Sequence, residues 1–155
     1  MRIYNASLGS VLLYGAETWP ATRSVLSTVN IAQTKYLRGI EGLRWHDFVS
    51  NENLLALTGR TPFSVQLAQR TLRWYGHLLR MPPDTPARTI FDLDPVLHGW
   101  KRPRGRPPTS WKDTTGAFLV MANIQENVHI LARDRFKWRH HVASLSTPQA
   151  FQQEH

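Results

Sequence analysis

Apolar residues recur along the first eighty positions with the three-and-four spacing of helices. Leu8, Val11, Leu12, Gly15 and Trp19 fall on one face, and Pro20 ends that run. Thr22 stands where a helix cap belongs, ahead of a second stripe formed by Val25, Leu26, Val29, Ala32, Tyr36, Leu37 and Ile40 and stopped at Gly42. A short third helix is expected from Asn51 to Leu57, closing at Gly59. A fourth begins at Thr61-Pro62, a capping residue followed by proline in the first turn, and runs to about Arg80, ahead of Pro82-Pro83. Phe63, Leu67, Trp74, Leu78 and Met81 mark its inward face. Gln66, Gln69, Arg70, Arg73, His77 and Arg80 share a second face, which reads as one outward stripe carrying three arginines.

The pattern then changes. Seven of the ten prolines lie between residues 82 and 108, where missing backbone donors and a bias against helix predict an extended connection. One short ordered piece is expected around Arg88 to Leu93. Helix resumes at Ser110, because Ser110-x-x-Asp113 has the form of a capping box, and it continues to about Ala122 on Trp111, Phe118 and Leu119 or Met121. Asn123 suits a break. A last helix is expected from Gln125 to Leu145, with Val128, Leu131, Trp138, Val142 and Leu145 as its apolar seam and Arg135 interrupting it. The reading is an all-α chain: a helical bundle over 1–81, a Pro/Arg-rich connector over 82–109, a C-terminal helical pair over 110–146, and a frayed tail over 147–155.

Composition narrows the function. The chain has 155 residues, enough for one domain, and its 41% hydrophobic and 19% charged content is not that of a disordered segment. The net charge is +8, made by fifteen Arg and four Lys against eleven acidic residues. The arginine bias favours planar, forked contacts to phosphates or bases, and a basic chain of this size has an anionic polymer as its expected partner. Residues 99–155 hold nine basic and four acidic side chains, against ten and seven over 1–98, so the stronger anion contact is expected in the shorter part. There is no cysteine, which excludes disulfides, cysteine-ligated zinc and a thiol nucleophile. No apolar run approaches a membrane span, and the Val11–Tyr14 patch is too short for a signal peptide. A nuclear or cytoplasmic, non-secreted protein is expected.

Two elements carry candidate binding chemistry. Lys101-Arg102-Pro103-Arg104-Gly105-Arg106-Pro107-Pro108 resembles an AT-hook. Arg104 and Arg106 can lie extended in a narrow A·T minor groove, Gly105 lets the backbone approach the groove floor, and the prolines keep the strand extended. The alternative is a solvated basic loop. The Arg70, Arg73, His77, Arg80 stripe can track phosphates along a strand or duplex, or be an ordinary solvated helix face. Among the six tryptophans, Trp19, Trp74 and Trp138 sit at helical spacing and read as core, whereas Trp45 lies at a loop and Trp100, beside the basic run, is the best base-stacking candidate. Catalytic constellations are not found. Asp92-Leu93-Asp94 is the only close Asp pair and lacks a third carboxylate for two-metal chemistry. His129 with His140-His141 is a poor metal set, because adjacent helical residues project in different directions. No cofactor is expected.

A resemblance gathers these pieces. Val11-Leu12-Leu13-Tyr14-Gly15-Ala16-Glu17-Thr18-Trp19, then Leu72-Arg73-Trp74-Tyr75-Gly76-His77-Leu78-Leu79-Arg80-Met81-Pro82, then Arg104-Gly105-Arg106-Pro107 with Trp111 close behind, follow one another as in the segment after the polymerase core of LINE-type (non-LTR) retrotransposon reverse transcriptases. Leu37-Arg38-Gly39-Ile40, Leu43-Arg44-Trp45-His46-Asp47 with Asn51-Glu52-Asn53-Leu54, and Ala132-Arg133-Asp134-Arg135-x-Lys137-Trp138-Arg139 extend the likeness over most of the chain. The resemblance implies a thumb region and the helical segment after it, which grips a template–product duplex, with Arg70, Arg73 and Arg80 as candidate contacts. The family's catalytic aspartates, upstream endonuclease and downstream Cys/His knuckle have no counterpart here. The expected function is therefore non-catalytic binding of DNA or RNA, duplex or hybrid, by a fragment of a retrotransposon reverse transcriptase. The competing expectation is a protein-interaction fragment that packed on the missing polymerase core. An active polymerase is the third and weakest reading.

Overall fold

The computed structural model describes residues 8–93, 105, 109–124 and 127–145. Over these residues the chain is all-α: α1 (Ser10–Leu12), α2 (Arg23–Ile40), α3 (Asn51–Thr58), α4 (Phe63–Arg80), α5 (Pro86–Asp92), α6 (Trp111–Met121), α7 (Val128–Arg133) and α8 (Arg135–Ala143). Two 3₁₀ turns, Ala16–Thr18 and Trp45–Asp47, complete the set. The hub is α4, with α2, α5, α6, α7, α8 and the Ala16–Thr18 turn packed around it, while α3 leans on α2. One core runs from Leu13 to Leu145, so the helices after the connector share α4 with those before it.

Local sequence chemistry starts most of these helices. Thr22 Oγ1 accepts from Val25 N at 3.3 Å and Ser50 Oγ from Asn53 N at 3.1 Å. Ser110 and Asp113 close the reciprocal box, at 3.2 Å and 2.8 Å. Each such cap contributes about 1 kcal/mol by satisfying an amide that the first turn leaves unpaired. Pro62 sits at the cap position of α4 and offers no side-chain acceptor. The acceptors come from α2 instead. Gln33 Oε1 takes the Phe63 amide at 2.7 Å, Asn30 Oδ1 takes the Ser64 amide at 2.9 Å, and Gln33 Nε2 donates to Thr61 O at 3.0 Å. Gln33 is buried, so Gln33→Ala strands the Phe63 N–H away from water. A loss of about 1–3 kcal/mol is expected, read from the urea midpoint at unchanged slope.

Several expected elements are corrected. The first helix does not reach Trp19: it stops after Leu12, and Gly15, at φ 63°, turns the chain into the 3₁₀ turn. Leu13 and Ala16 enter the core instead of Val11, which is exposed. On α2 the buried set is Leu26, Val29, Gln33, Thr34 and Leu37, while Tyr36 and Ile40 face outward. The inward arc of α4 is wider than one stripe, because it is packed on several sides: Val65, Ala68, Thr71, Leu72 and Gly76 join Phe63, Leu67 and Leu78, and Trp74 and Met81 stay half-buried. Trp19 is also only partly buried, whereas Trp138 lies within the core. The long C-terminal helix is two. Asp134 leaves helical geometry and caps α8, accepting from Phe136 N and Lys137 N at 2.9 Å and 3.1 Å. The expected tail over 147–155 lies outside the described residues. Among the described residues no helix is long and apolar enough to cross a membrane.

Candidate nucleic-acid interface

Three tethers fix the C-terminal helices on α4. Gln69 Nε2 donates to Leu145 O at 3.3 Å, Trp138 Nε1 to Leu72 O at 3.0 Å, and Arg80 Nη1 to Ala132 O at 2.8 Å. As the α4 partners advance from 69 to 80, the others retreat from 145 to 132. The α7–α8 corner therefore runs antiparallel to α4. Trp138 is the central anchor. Its indole lies against the backbone of α4 at Gly76, where an added Cβ would stand 2.3 Å from Nε1. Glycine in the Trp74-Tyr75-Gly76-His77 motif thus makes the slot for a residue sixty-two positions away.

Tyr75 extends the anchor into an aromatic cluster. Its ring centroid lies 5.7 Å from that of Phe91, 6.2 Å from Trp111 and 6.2 Å from Trp138. Trp111 Nε1 also donates to Glu17 O at 2.8 Å, which ties α6 to the N-terminal turn. Burial pushes the Tyr75 phenol above its usual pKa, with Arg88 opposing and Asp92 adding to the shift. This cluster is structural, and it fixes where the neighbouring cations stand.

The cations gather beside Trp138. The stretch from Arg133 to Arg139 carries Arg133, Arg135, Lys137 and Arg139 with Asp134 as its one acid. The Asp134 carboxylate is occupied by the α8 amides and by Lys137 Nζ at 3.9 Å. Arg135 and Arg139 are exposed, four residues apart on one side of α8, and among the described residues neither has an acidic partner. Their positive fields reach Arg80 on α4, whose guanidinium is tied to Ala132 O at the end of α7. Burial lowers the proton affinity of Arg80, and the positive fields of Arg135 and Arg139 lower it further. Arg80 Nε is buried without a hydrogen-bond partner. Among the described residues none of the three guanidinium groups, Arg80, Arg135 and Arg139, pairs with a carboxylate. Arg73 and His77 are exposed on the same face of α4, with His77 against Trp74 at 5.5 Å between centroids.

The expected arginines fare differently. Arg73 is free to meet solvent, but the stripe as a whole is not a solvated face, because Gln69, Arg70 and Arg80 are used internally. Arg70 is half-buried and donates from Nη1 to Leu13 O at 2.7 Å, holding the N-terminal turn rather than standing with Arg80. Arg80 is half-buried too, yet remains part of a cationic cluster. Lys101, Arg102, Arg104 and Arg106, with Trp100, lie outside the described residues. Gly105 is described: it is exposed, with φ 133°, a backbone conformation that L side chains rarely adopt. Sequence reasoning does not single out Arg135 and Arg139 as contacts. Their spacing of four, with a tryptophan between them at the depth of the core, is the signal that could have found them.

The arrangement has the means to hold phosphates: forked donors, a local excess of positive charge, and a rigid platform. Asp92 is engaged by Arg88, and among the described residues no three His, Asp or Glu side chains gather to hold a metal ion. No family model, curated protein or solved structure matches the chain.

Proposed function

We propose that this chain is a non-catalytic nucleic-acid-binding fragment of a retrotransposon reverse transcriptase, the part that resembles the thumb and the helices after it in LINE-type enzymes. The observation that carries the binding reading is the pair of exposed arginines on α8, Arg135 and Arg139, which have no acidic partner among the described residues and whose positive fields reach the half-buried Arg80 of α4. Folding such a cluster is unfavourable in isolation, and a polyanion relieves the repulsion while releasing its own counterions. The net charge of +8 supports the same partner at longer range. The AT-hook-like run from Lys101 to Pro108 supplies a second cationic segment in the chain.

The test is a titration of the purified chain against DNA duplex, RNA duplex and DNA–RNA hybrid at two ionic strengths. Binding at about micromolar or tighter concentrations, weakening steeply with added salt, is expected. A flat salt response counts against the reading. Arg104→Ala with Arg106→Ala reports the connector's share, and Arg73→Ala with Arg135→Ala and Arg139→Ala reports that of the helical face.

One observation favours the second reading, a surface that packs on another protein. Trp45 and Phe48 are 86% and 87% exposed on the loop between α2 and α3. Phe48 adopts φ 49°, which is costly for a bulky residue. The loop is nevertheless ordered, since Asp47 accepts from the Arg44 amide and Arg38 donates to Val49 O and Asn51 Oδ1. Exposed aromatics on a braced loop are the usual anchors of a protein interface. Self-association that disappears in Trp45→Ala with Phe48→Ala, without nucleic acid present, is the result that selects this reading.

A further inference from the structure

Resting on the phosphate-binding reading, we infer that α8 selects nucleic acid with unpaired bases, and that Phe136 is the stacking residue. Phe136 is 82% exposed, midway along a line of cations. At 3.6 residues per turn, Trp138 and Val142 point into the core, Arg135 and Arg139 flank them on one side, and Phe136 stands further out on that side, beyond Arg139. His140 and Ala143 share that strip one and two turns on, and both are exposed, as Phe136 is. No ring or cation stacks on Phe136 among the described residues, and its own amide is held by Asp134. The side chain is therefore presented, not packed.

Charge decides what it is presented to. A phenyl group meant for another protein's apolar core is best surrounded by neutral residues, because the charged groups would lose water on contact. On the helix its neighbours one turn on are Arg139 and His140, and the one acid nearby, Asp134, is taken up at the start of the helix by the Phe136 and Lys137 amides and by the Lys137 ammonium. A cationic track with an aromatic ring set into it matches single-stranded nucleic acid: phosphates meet the guanidiniums while a base, free of a complementary strand, lies on the ring. In a continuous duplex every base face is already stacked, so the ring has nothing to take.

The experiment uses the full chain and fluorescently labelled oligothymidylate, alongside a blunt DNA duplex of equal length. Phe136→Ala is expected to weaken single-strand binding roughly tenfold or more, the range of a lost base stack, and to leave duplex binding within about twofold. Phe136→Tyr keeps the affinity, whereas Phe136→Leu behaves as alanine does. Far-ultraviolet dichroism of each variant checks that the helices are intact, as the exposure of Phe136 implies. If Leu rescues as well as Tyr, the ring is a general apolar contact and the stacking assignment is overturned. The assignment also falls if Phe136→Ala changes neither ligand, or both equally, while Arg135→Gln with Arg139→Gln still weakens both; phosphate binding then stands alone. If the wild-type chain binds neither probe, the underlying reading fails and takes this one with it.

Discussion

Gly76→Ala is expected to destabilise the folded chain by about 2–4 kcal/mol, the sum of overpacking and a strained buried hydrogen bond less a gain in helix propensity. The new methyl group would lie 2.3 Å from Trp138 Nε1 and 2.5 Å from Cε2. Trp138 is 2% exposed and cannot swing into solvent without opening the core. Its indole N–H would leave Leu72 O, and α8 would move with it. For a chain of this size the melting temperature is expected to fall by about 5–15 °C, measurable by thermal dichroism. Trp138→Phe separates the causes. It removes the donor and shrinks the ring, so in its presence the alanine at position 76 should cost markedly less. Additive penalties in that double-mutant cycle would mean that the two residues do not share the slot.

The second large effect is electrostatic and has opposite signs in two readouts. Arg135→Gln with Arg139→Gln is expected to raise the melting temperature of the free protein at low salt, because it removes the two fields that crowd Arg80. The same change is expected to weaken nucleic-acid binding by roughly tenfold per charge at about 0.1 M salt. pH is the wrong lever here. The folded Arg80 binds its proton less tightly than the unfolded chain does. The penalty is thus at full strength below both values and fades only as pH rises through the folded one, on the alkaline side. Salt is the right lever, since screening reduces both the gain in stability and the loss of affinity. A variant that is less stable and also binds less well would assign Arg135 and Arg139 a packing role instead.

Much of the fold was legible because it is written in local chemistry. Thr22, Ser50 and Ser110 begin helices for the reason their side chains give, and Gly59 ends one. The stripes of α2 and α4 located the core, although not its breadth. What stayed hidden depends on interactions between distant segments, which leave no periodic mark. Nothing in the neighbourhood of Gln33 says that its amide will cap a helix thirty residues later. Nothing around Gly76 says that an indole will lie on it. The break at Asp134 was readable in principle, since Asp followed by two helix-starting amides is a cap, but the apolar seam on either side suggested one helix.

The site was legible in charge and not in place. Counting arginines raised the expectation of a polyanion, and the surplus of charge drew attention to the later part of the chain, where Arg135 and Arg139 stand. Which arginines stand together is a property of the antiparallel packing of α7 and α8 on α4. Arg70 is taken up by Leu13, while the packing of α7 and α8 on α4 lets the fields of Arg135 and Arg139 reach Arg80.

The most direct measurement is the slope of log binding constant against log salt concentration for the wild-type chain and for Arg135→Gln with Arg139→Gln. A steep negative slope in the wild type is expected, made shallower by about 1.8 in the variant, roughly 0.9 for each phosphate that is no longer neutralised. A wild-type slope near zero, or two parallel lines, would contradict the placement of a polyanion on this face.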